Sequence, residues 1–482
     1  MKHTIEILSL LCAVTLSFVA GAQQSLPPGT RWLDHLNNEL LPFWTTNTAF
    51  GQPFGAFPTT RCDDTTLYDE RTPCPEIQHN SWVSPRQRNL VGLSRQVYGY
   101  GVAFHLTGNR TYLDAMKAGI DFIRGHAVDR VHGGMRVVQN ISDGSWGPAP
   151  EFRNPQELGC GLLGMAFYYY LTRDADVLKD ILAIKNYIFE KYYNQSLGAM
   201  QWLPMSHFGW KLNDKRLMAQ LEQMNTYLVL LTPLLPEPFE SEWKDSLLQL
   251  YHAMINHFYS PKDHLFVLYD NGINDKSAAT VGADFGHTAK ALWMIRWTGI
   301  ITKNADLVAF AEDNARALLS RAYLDDCGCW ADGIKKDGSL DLDKSWWIYA
   351  ELDQLAGTLA LRDPTFAQNL PRTYNYWFTH FVDPVYGEVW NGVNGETNAP
   401  DRELPKQWQW KSAYHSFEHA LVGYIVAQQL RGDLVTLYYA FRSPADLDSV
   451  QPYYFSGTVQ GIEVVKDDQG QQAQKITFKE VH

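Results

Sequence analysis

Two histidines stand in similar settings and carry the clearest chemical signal in the chain. His287 lies within Asp284-Phe285-Gly286-His287-Thr288-Ala289-Lys290, and His415 within Lys411-Ser412-Ala413-Tyr414-His415-Ser416-Phe417-Glu418-His419. Each comes near the start of a segment whose apolar residues recur at three and four, so each sits close to a predicted helix N-terminus. Imidazole changes charge near neutral pH without a large shift. Two imidazoles on opposite sides of one pocket can take a proton from a carbon and return one, which is the chemistry of an epimerisation or isomerisation. His419, one turn past His415, reads either as an orienting group or as a structural one.

The elements that must position these residues follow from the apolar periodicity. Twelve amphipathic segments are predicted near 29–47, 88–107, 110–127, 154–172, 174–192, 213–233, 240–259, 282–299, 304–321, 344–361, 363–381 and 411–431. Breakers such as Thr107-Gly108-Asn109 and Arg362-Asp363-Pro364 separate members of pairs. Short turns with strand-like flanks recur at 133, 198, 264, 328 and 387, in steps of 65, 66, 64 and 59 residues. A repeated unit of helix pair plus long loop is what a ring of hairpins requires. The expected fold is therefore all-α, an (α/α)6 barrel with even-numbered helices inside, which puts His287 on the eighth helix and His415 on the twelfth. After Gly432 the chain turns rich in β-branched and aromatic residues, so a small C-terminal β-rich extension is expected over 433–482.

Composition bounds the partners. The 482 residues have 45% hydrophobic and 20% charged content, which fits a globular protein of one large or two ordinary domains. Residues 1–22 read as a signal peptide: Lys2 and His3, an apolar run from Ile7 to Ala20, then Ala20-Gly21-Ala22. That implies a periplasmic or secreted protein with a barrel domain over 23–432. Loss of Lys2 and Glu6 cancels, so the charge stays at −12, which disfavours nucleic acid and anionic membranes as partners. Cys62 and Cys74 flank a polar loop and make a plausible disulfide, Cys327-Gly328-Cys329 is too close-set for an ordinary bridge, and Cys160 reads as a core thiol. No zinc-binding spacing appears, and no metal or other cofactor is expected.

Several segments resemble the N-acylglucosamine 2-epimerase family, over about residues 30–432. They are Ser94-Arg95-Gln96-Val97-Tyr98, Phe285-Gly286-His287-Thr288-Ala289-Lys290, Ser345-Trp346-Trp347-Ile348-Tyr349-Ala350-Glu351, and Trp410-Lys411-Ser412-Ala413-Tyr414-His415. The resemblance implies a ring-opened sugar, loss of the C2 proton to a base and a cis-enediolate. Return of the proton to C2 gives the epimer, and delivery to C1 gives aldose–ketose isomerisation. His287 and His415 are then the catalytic pair. Arg95 would steady enediolate charge with its donor fork, and Trp347 and Glu351, one turn apart, would contact the sugar or orient a histidine. The partner is a small carbohydrate, and the protein a monomer or homodimer.

Two departures from the family pattern stand out. Met224-Asn225-Thr226-Tyr227-Leu228-Val229 keeps Asn225, a candidate hydroxyl or carbonyl contact, but has Tyr227 and Val229 where the family has histidines. The family's charges one turn past each catalytic histidine are exchanged here, as Lys290 and Glu418. These read as a reversed ion pair in the pocket floor, as Lys290 binding an anionic substrate group, or as independent charges. Two rival functions remain open. One is a glycoside hydrolase or lyase on the same barrel, using Glu157 with Glu351 or Asp284. The other is a sugar-binding protein without turnover.

Overall fold

The protein, as a computed structural model, is described over residues 25–78, 83–204, 214–270, 283–466, 470 and 472–482. The expected export segment, 1–22, lies outside these residues. Helix dominates: α1 (29–44), α2 (Leu90–Thr107), α3 (110–127), α4 (Pro155–Thr172), α5 (Ala175–Tyr192), α6 (217–234), α7 (Phe239–Phe258), α8 (Phe285–Thr302), α9 (Ala305–Ala322), α10 (Trp346–Ala360), α11 (370–381) and α12 (Tyr414–Leu430). A short turn of helix at Pro75–Gln78 accompanies them.

Odd and even helices differ in burial. In α2 every residue from Leu90 to Leu106 is buried, and in α12 every residue from Tyr414 to Ala427. By contrast α3 buries one stripe, including Leu113, Met116 and Ile120, and turns Thr111, Asp114 and Lys117 outward. A helix that is apolar all round belongs inside, and one with a single apolar stripe belongs outside. The even helices pack on one another, α2 on α4, α8 on α10 and α10 on α12, and α12 also packs against α2.

Asn and Asp residues start many of these helices. Asn89, Asn109, Asn154, Asp174, Asp284 and Asn304 each accept a hydrogen bond from a backbone N–H of the first turn. Each such cap stabilises by about 1 kcal/mol. Several even helices begin two to four residues later than the periodicity implies, because the residues before them form short antiparallel pairs. Lys215–Arg216 pairs with Tyr269–Asp270, Ala283–Asp284 with Gly333–Ile334, and Lys344–Ser345 with Gly392–Val393. A two-residue strand is too short for period two to be told from the first turn of a helix. These pairs lace the loops before α6, α8 and α10 to later loops, which fixes where those helices begin.

After Gly432 lies a three-stranded antiparallel sheet: β1 (Val435–Tyr439), β2 (Thr458–Lys466) and β3 (Gln472–Lys479), with β3 in the middle. Val435, Leu437, Tyr439, Ile476 and Phe478 face the helices and are fully buried. Backbone bonds seat it on the helical part: His105 Nδ1 meets the Tyr438 carbonyl at 2.8 Å, and the Ala440 N–H donates to Leu171 O at 2.9 Å.

Cys62 and Cys74 are bonded, with Cα atoms 6.0 Å apart. The expectation for the second pair is corrected: Cys327 and Cys329 are also bonded, their Cα atoms 5.3 Å apart. Gly328 between them has φ of 64°, a left-handed conformation that curls the chain enough to bring both sulfurs together. Cys160 is free and buried. No helix among the described residues is long and apolar enough to cross a membrane.

Candidate active site

Asp284 builds the start of α8. Its extended backbone ends the short Ala283–Asp284 strand, its Oδ1 accepts from His287 N at 2.7 Å, and its Oδ2 meets His287 Nδ1 at 2.7 Å. A carboxylate only accepts, so Nδ1 carries the proton, and Nε2 is the nitrogen whose lone pair the neutral form of the ring offers. Trp347 of α10 lies against the imidazole, with ring centroids 4.7 Å apart. The approach is possible because residue 286 is glycine: a Cβ there would sit 2.6 Å from the Trp347 ring.

His415, in the first turn of α12, is buried and opens on the same cavity, of about 210 Å³. Its ring is 6.0 Å from that of Trp347, which therefore stands beside both histidines. His415 Nδ1 and Glu351 Oε1 face each other at 3.4 Å, and neither atom has a hydrogen bond among the described residues. Burial, then the charges of Lys290 and Arg95, hold the His415 imidazole well below its ordinary range, so it is neutral. Burial likewise pushes the Glu351 carboxyl up, to about 8, with Lys290 pulling it down and Glu418 pushing it further up. Trp293 Nε1 donates to the other Glu351 oxygen at 3.0 Å.

Arg95, of α2, also lines the cavity. One guanidinium nitrogen donates to Trp410 O at 2.6 Å, and the group lies over the Tyr414 and Trp410 rings. Lys290 lines it too, but its partner differs from the expected one. Lys290 Nζ pairs with Glu222 at 3.0 Å, and both side chains are almost fully buried. Burial opposes both charges, yet the mutual attraction leaves Lys290 above its ordinary range and Glu222 below.

The reversed Lys290–Glu418 pair is therefore corrected. Glu418 accepts from Tyr453 OH at 2.7 Å and from Tyr454 OH, both beyond the last helix, and is absent from the cavity lining. Glu418 shares a helix face with His415 but lies one turn further along α12, where the two phenols claim it. Asn225 is also off the lining. It sits in a π turn, Met224–Leu228, and bridges Glu222, at 3.2 Å, to Tyr414 OH, at 3.1 Å. Tyr227 points outward to Gln223 and to Trp243 of α7, and Val229 is core. His419 lies 3.1 Å from Asp353 among Trp32, Tyr374 and Trp377.

Five lining residues were not singled out from the sequence as site residues: Glu222, Gln156, Met218, Trp346 and Trp410. Glu222 had a signal, since it lies three residues before Asn225 and so on the same helix face. Trp410 was read only as the edge of the His415 segment. Glu351, His415 and Glu418 offer atoms within 4.8 Å of one another, a spacing that could hold a cation, but Lys290 and Arg95 already bring positive charge there.

No protein-family model matches the chain. Over 345 residues it is 24% identical to a cellobiose 2-epimerase of Bacteroides fragilis, covering 67% of this chain and 84% of that protein. Its fold matches that of a cellobiose 2-epimerase from Bacillus thermoamylovorans, with a TM-score of 0.67 at 16% identity over 83% of this chain and 99% of the other. A D-mannose isomerase structure matches with a TM-score of 0.66 at 16% identity, over 82% of this chain and 97% of that one. In sequence and in fold the chain thus resembles the N-acylglucosamine 2-epimerase family, as its four motif segments do.

Proposed function

We propose that the protein is a carbohydrate 2-epimerase or aldose–ketose isomerase acting on a reducing sugar or oligosaccharide. The observation that carries this reading is the pair of imidazoles on one cavity, each backed by a carboxyl group: His287 by Asp284 and His415 by Glu351. His287, with a free Nε2, takes the C2 proton of the ring-opened sugar. Arg95 and Lys290 offset the charge of the enediolate, and His415 delivers a proton to C2 from the other face or to C1. Trp347 stacks on the sugar between the two. Asn225, Glu351 and Glu418 act from beneath rather than by contact. The route asks for no metal or redox group.

The hydrolase reading finds less support. Glu157 is engaged with Asn154 at the start of α4, and Asp284 with His287. The one carboxylate among the described lining residues, Glu222, is neutralised by Lys290. We further infer that the six helix pairs close into an (α/α)6 barrel over 23–432, with 433–482 as an appendage. The mature protein is read as exported after loss of residues 1–22. Incubation of reducing sugars in deuterated water, followed by NMR, tests the activity. Deuterium should enter C2, and His287→Ala or His415→Ala should lower exchange by about 10²–10⁴-fold while sugar binding survives. Release of monosaccharide from an oligosaccharide without C2 exchange would overturn it in favour of hydrolysis.

A further inference from the structure

The appendage reaches the floor of the site. Tyr453 and Tyr454, in the link between β1 and β2, are both almost fully buried beneath the cavity. Tyr453 holds φ at 65°, an uncommon conformation for a bulky residue, which the surrounding bonds keep in place. Its N–H donates to Tyr170 OH at 2.8 Å, and its hydroxyl meets Tyr98 OH at 2.6 Å and Glu418 Oε1 at 2.7 Å. Tyr454 also bonds Glu418, and its ring stacks on Trp293, 4.7 Å between centroids. Trp293 in turn donates to Glu351.

Glu351 and Glu418 are thus two buried carboxyls in one pocket floor, and the charge of each raises the cost of ionising the other. Their surroundings are unequal. Burial pushes the Glu418 carboxyl up as well, but two phenols donate to it and pull it back down. Glu351 has one indole donor and a second oxygen aimed at the unbonded Nδ1 of His415. Two acceptor atoms facing each other in a buried site require a proton between them. The charged and titratable groups around them are Lys290 and His287 on α8, Glu222 on α6, Arg95 and Tyr98 on α2, Tyr414 on α12 and Lys411 just before it.

We propose that Tyr453 and Tyr454 are positioning residues that hold Glu418 ionised and so place the shared proton on Glu351, making His415 the proton donor of the pair. This rests on the two-histidine reading above. Glu351 O–H donates to His415 Nδ1, so the imidazole carries its own proton on Nε2. When that proton passes to the enediolate carbon, Glu351's proton moves to Nδ1. His415 ends neutral in its other tautomer, and Glu351 ends as a carboxylate. The proton taken from C2 resides on His287, and both groups reset by exchange with solvent. The buried imidazole carries no net charge at the start or the end of the step. His287, held by the Asp284 carboxylate through Nδ1, is the base; the two histidines are unlike because their carboxyl partners differ in protonation.

The test is the pH profile of kcat for C2 exchange. In the double variant Tyr453→Phe with Tyr454→Phe, the proton moves to Glu418, Glu351 ionises, and His415 loses its Nε2 proton. Neutral-pH kcat should drop by at least about tenfold with little change in KM, and the alkaline limb should move to lower pH. Glu418→Gln, which removes the like charge beside Glu351, should move that limb in the same direction. Tyr170→Phe, which loosens the appendage without touching Glu418, should leave the profile in place. A double Phe variant whose profile superimposes on the wild type overturns the proposal. So does one that loses stability, kcat and KM together with no shift. If the wild type exchanges no C2 proton on any sugar, the functional reading has failed instead. The protonated Glu351 carboxyl is then read directly, as an infrared band lost in Glu351→Gln.

Discussion

At the scale of single residues, the site is defined by which charge faces which. Lys290 and Glu222 are buried together, so each is tolerable only because of the other. Lys290→Met should leave an uncompensated Glu222 and destabilise by about 3–5 kcal/mol. Removing both, as Lys290→Met with Glu222→Leu, should recover much of that loss, and a double-mutant cycle on unfolding free energies reads the coupling. A coupling near zero would free Lys290 for the other reading, an anionic substrate group, which binding of sugar acids at varied salt would then reveal. The family resemblance pointed to Glu418 as the partner because only its charge and its position one turn past His415 were visible. The phenols that claim it come from residues 453 and 454, and no local pattern announces that a tail will reach back under a helix.

At the scale of elements, the helix starts do the positioning. Gly286 sits where α8 crosses the Trp347 ring of α10, and a methyl group there would meet that ring at 2.6 Å. Gly286→Ala should leave α8 formed, since alanine favours helix, yet displace Trp347 from both histidines. The expected result is a rise in KM of about tenfold or more with a smaller change in melting temperature. Unchanged KM would mean that Trp347 is not a sugar contact. Long apolar-periodic segments were readable because burial on one face or all faces writes itself into 18-residue stretches such as Leu90–Thr107 and Phe285–Thr302. The histidine positions near the starts of α8 and α12 followed from them. The ribbons before the even helices, and the π turn that carries Asn225 away from the cavity, were not readable. Each rests on two to five residues whose backbone state is decided by partners far along the chain.

At the scale of the whole molecule, pH links the site to stability. Burial, above all, pushes several carboxyls upward, among them Asp63 to about 6, Asp332 to about 7 and Glu351 to about 8. Asp332 is the most instructive, because it joins two elements of the site. Its carbonyl accepts from Phe285 N at the start of α8, and its carboxyl accepts from Ser345 at the start of α10. Its folded value lies above the unfolded value near 3.9. Between those two values the native state keeps a proton that the unfolded chain has lost. Stability therefore falls as pH rises through that window, by at most about 1.4 kcal/mol per pH unit for this group, and levels off above it. Asp332→Asn removes the titration while keeping an acceptor for Ser345. The gap in melting temperature between wild type and variant should then change steadily in the variant's favour from pH 4 to 7 and stay constant beyond. Curves that run parallel across that range would mean that Asp332 is ionised in the fold. The carboxylate would then be held by the Ser345 donors against its burial, and the mouths of α8 and α10 would be tied by a charge instead of a neutral acid.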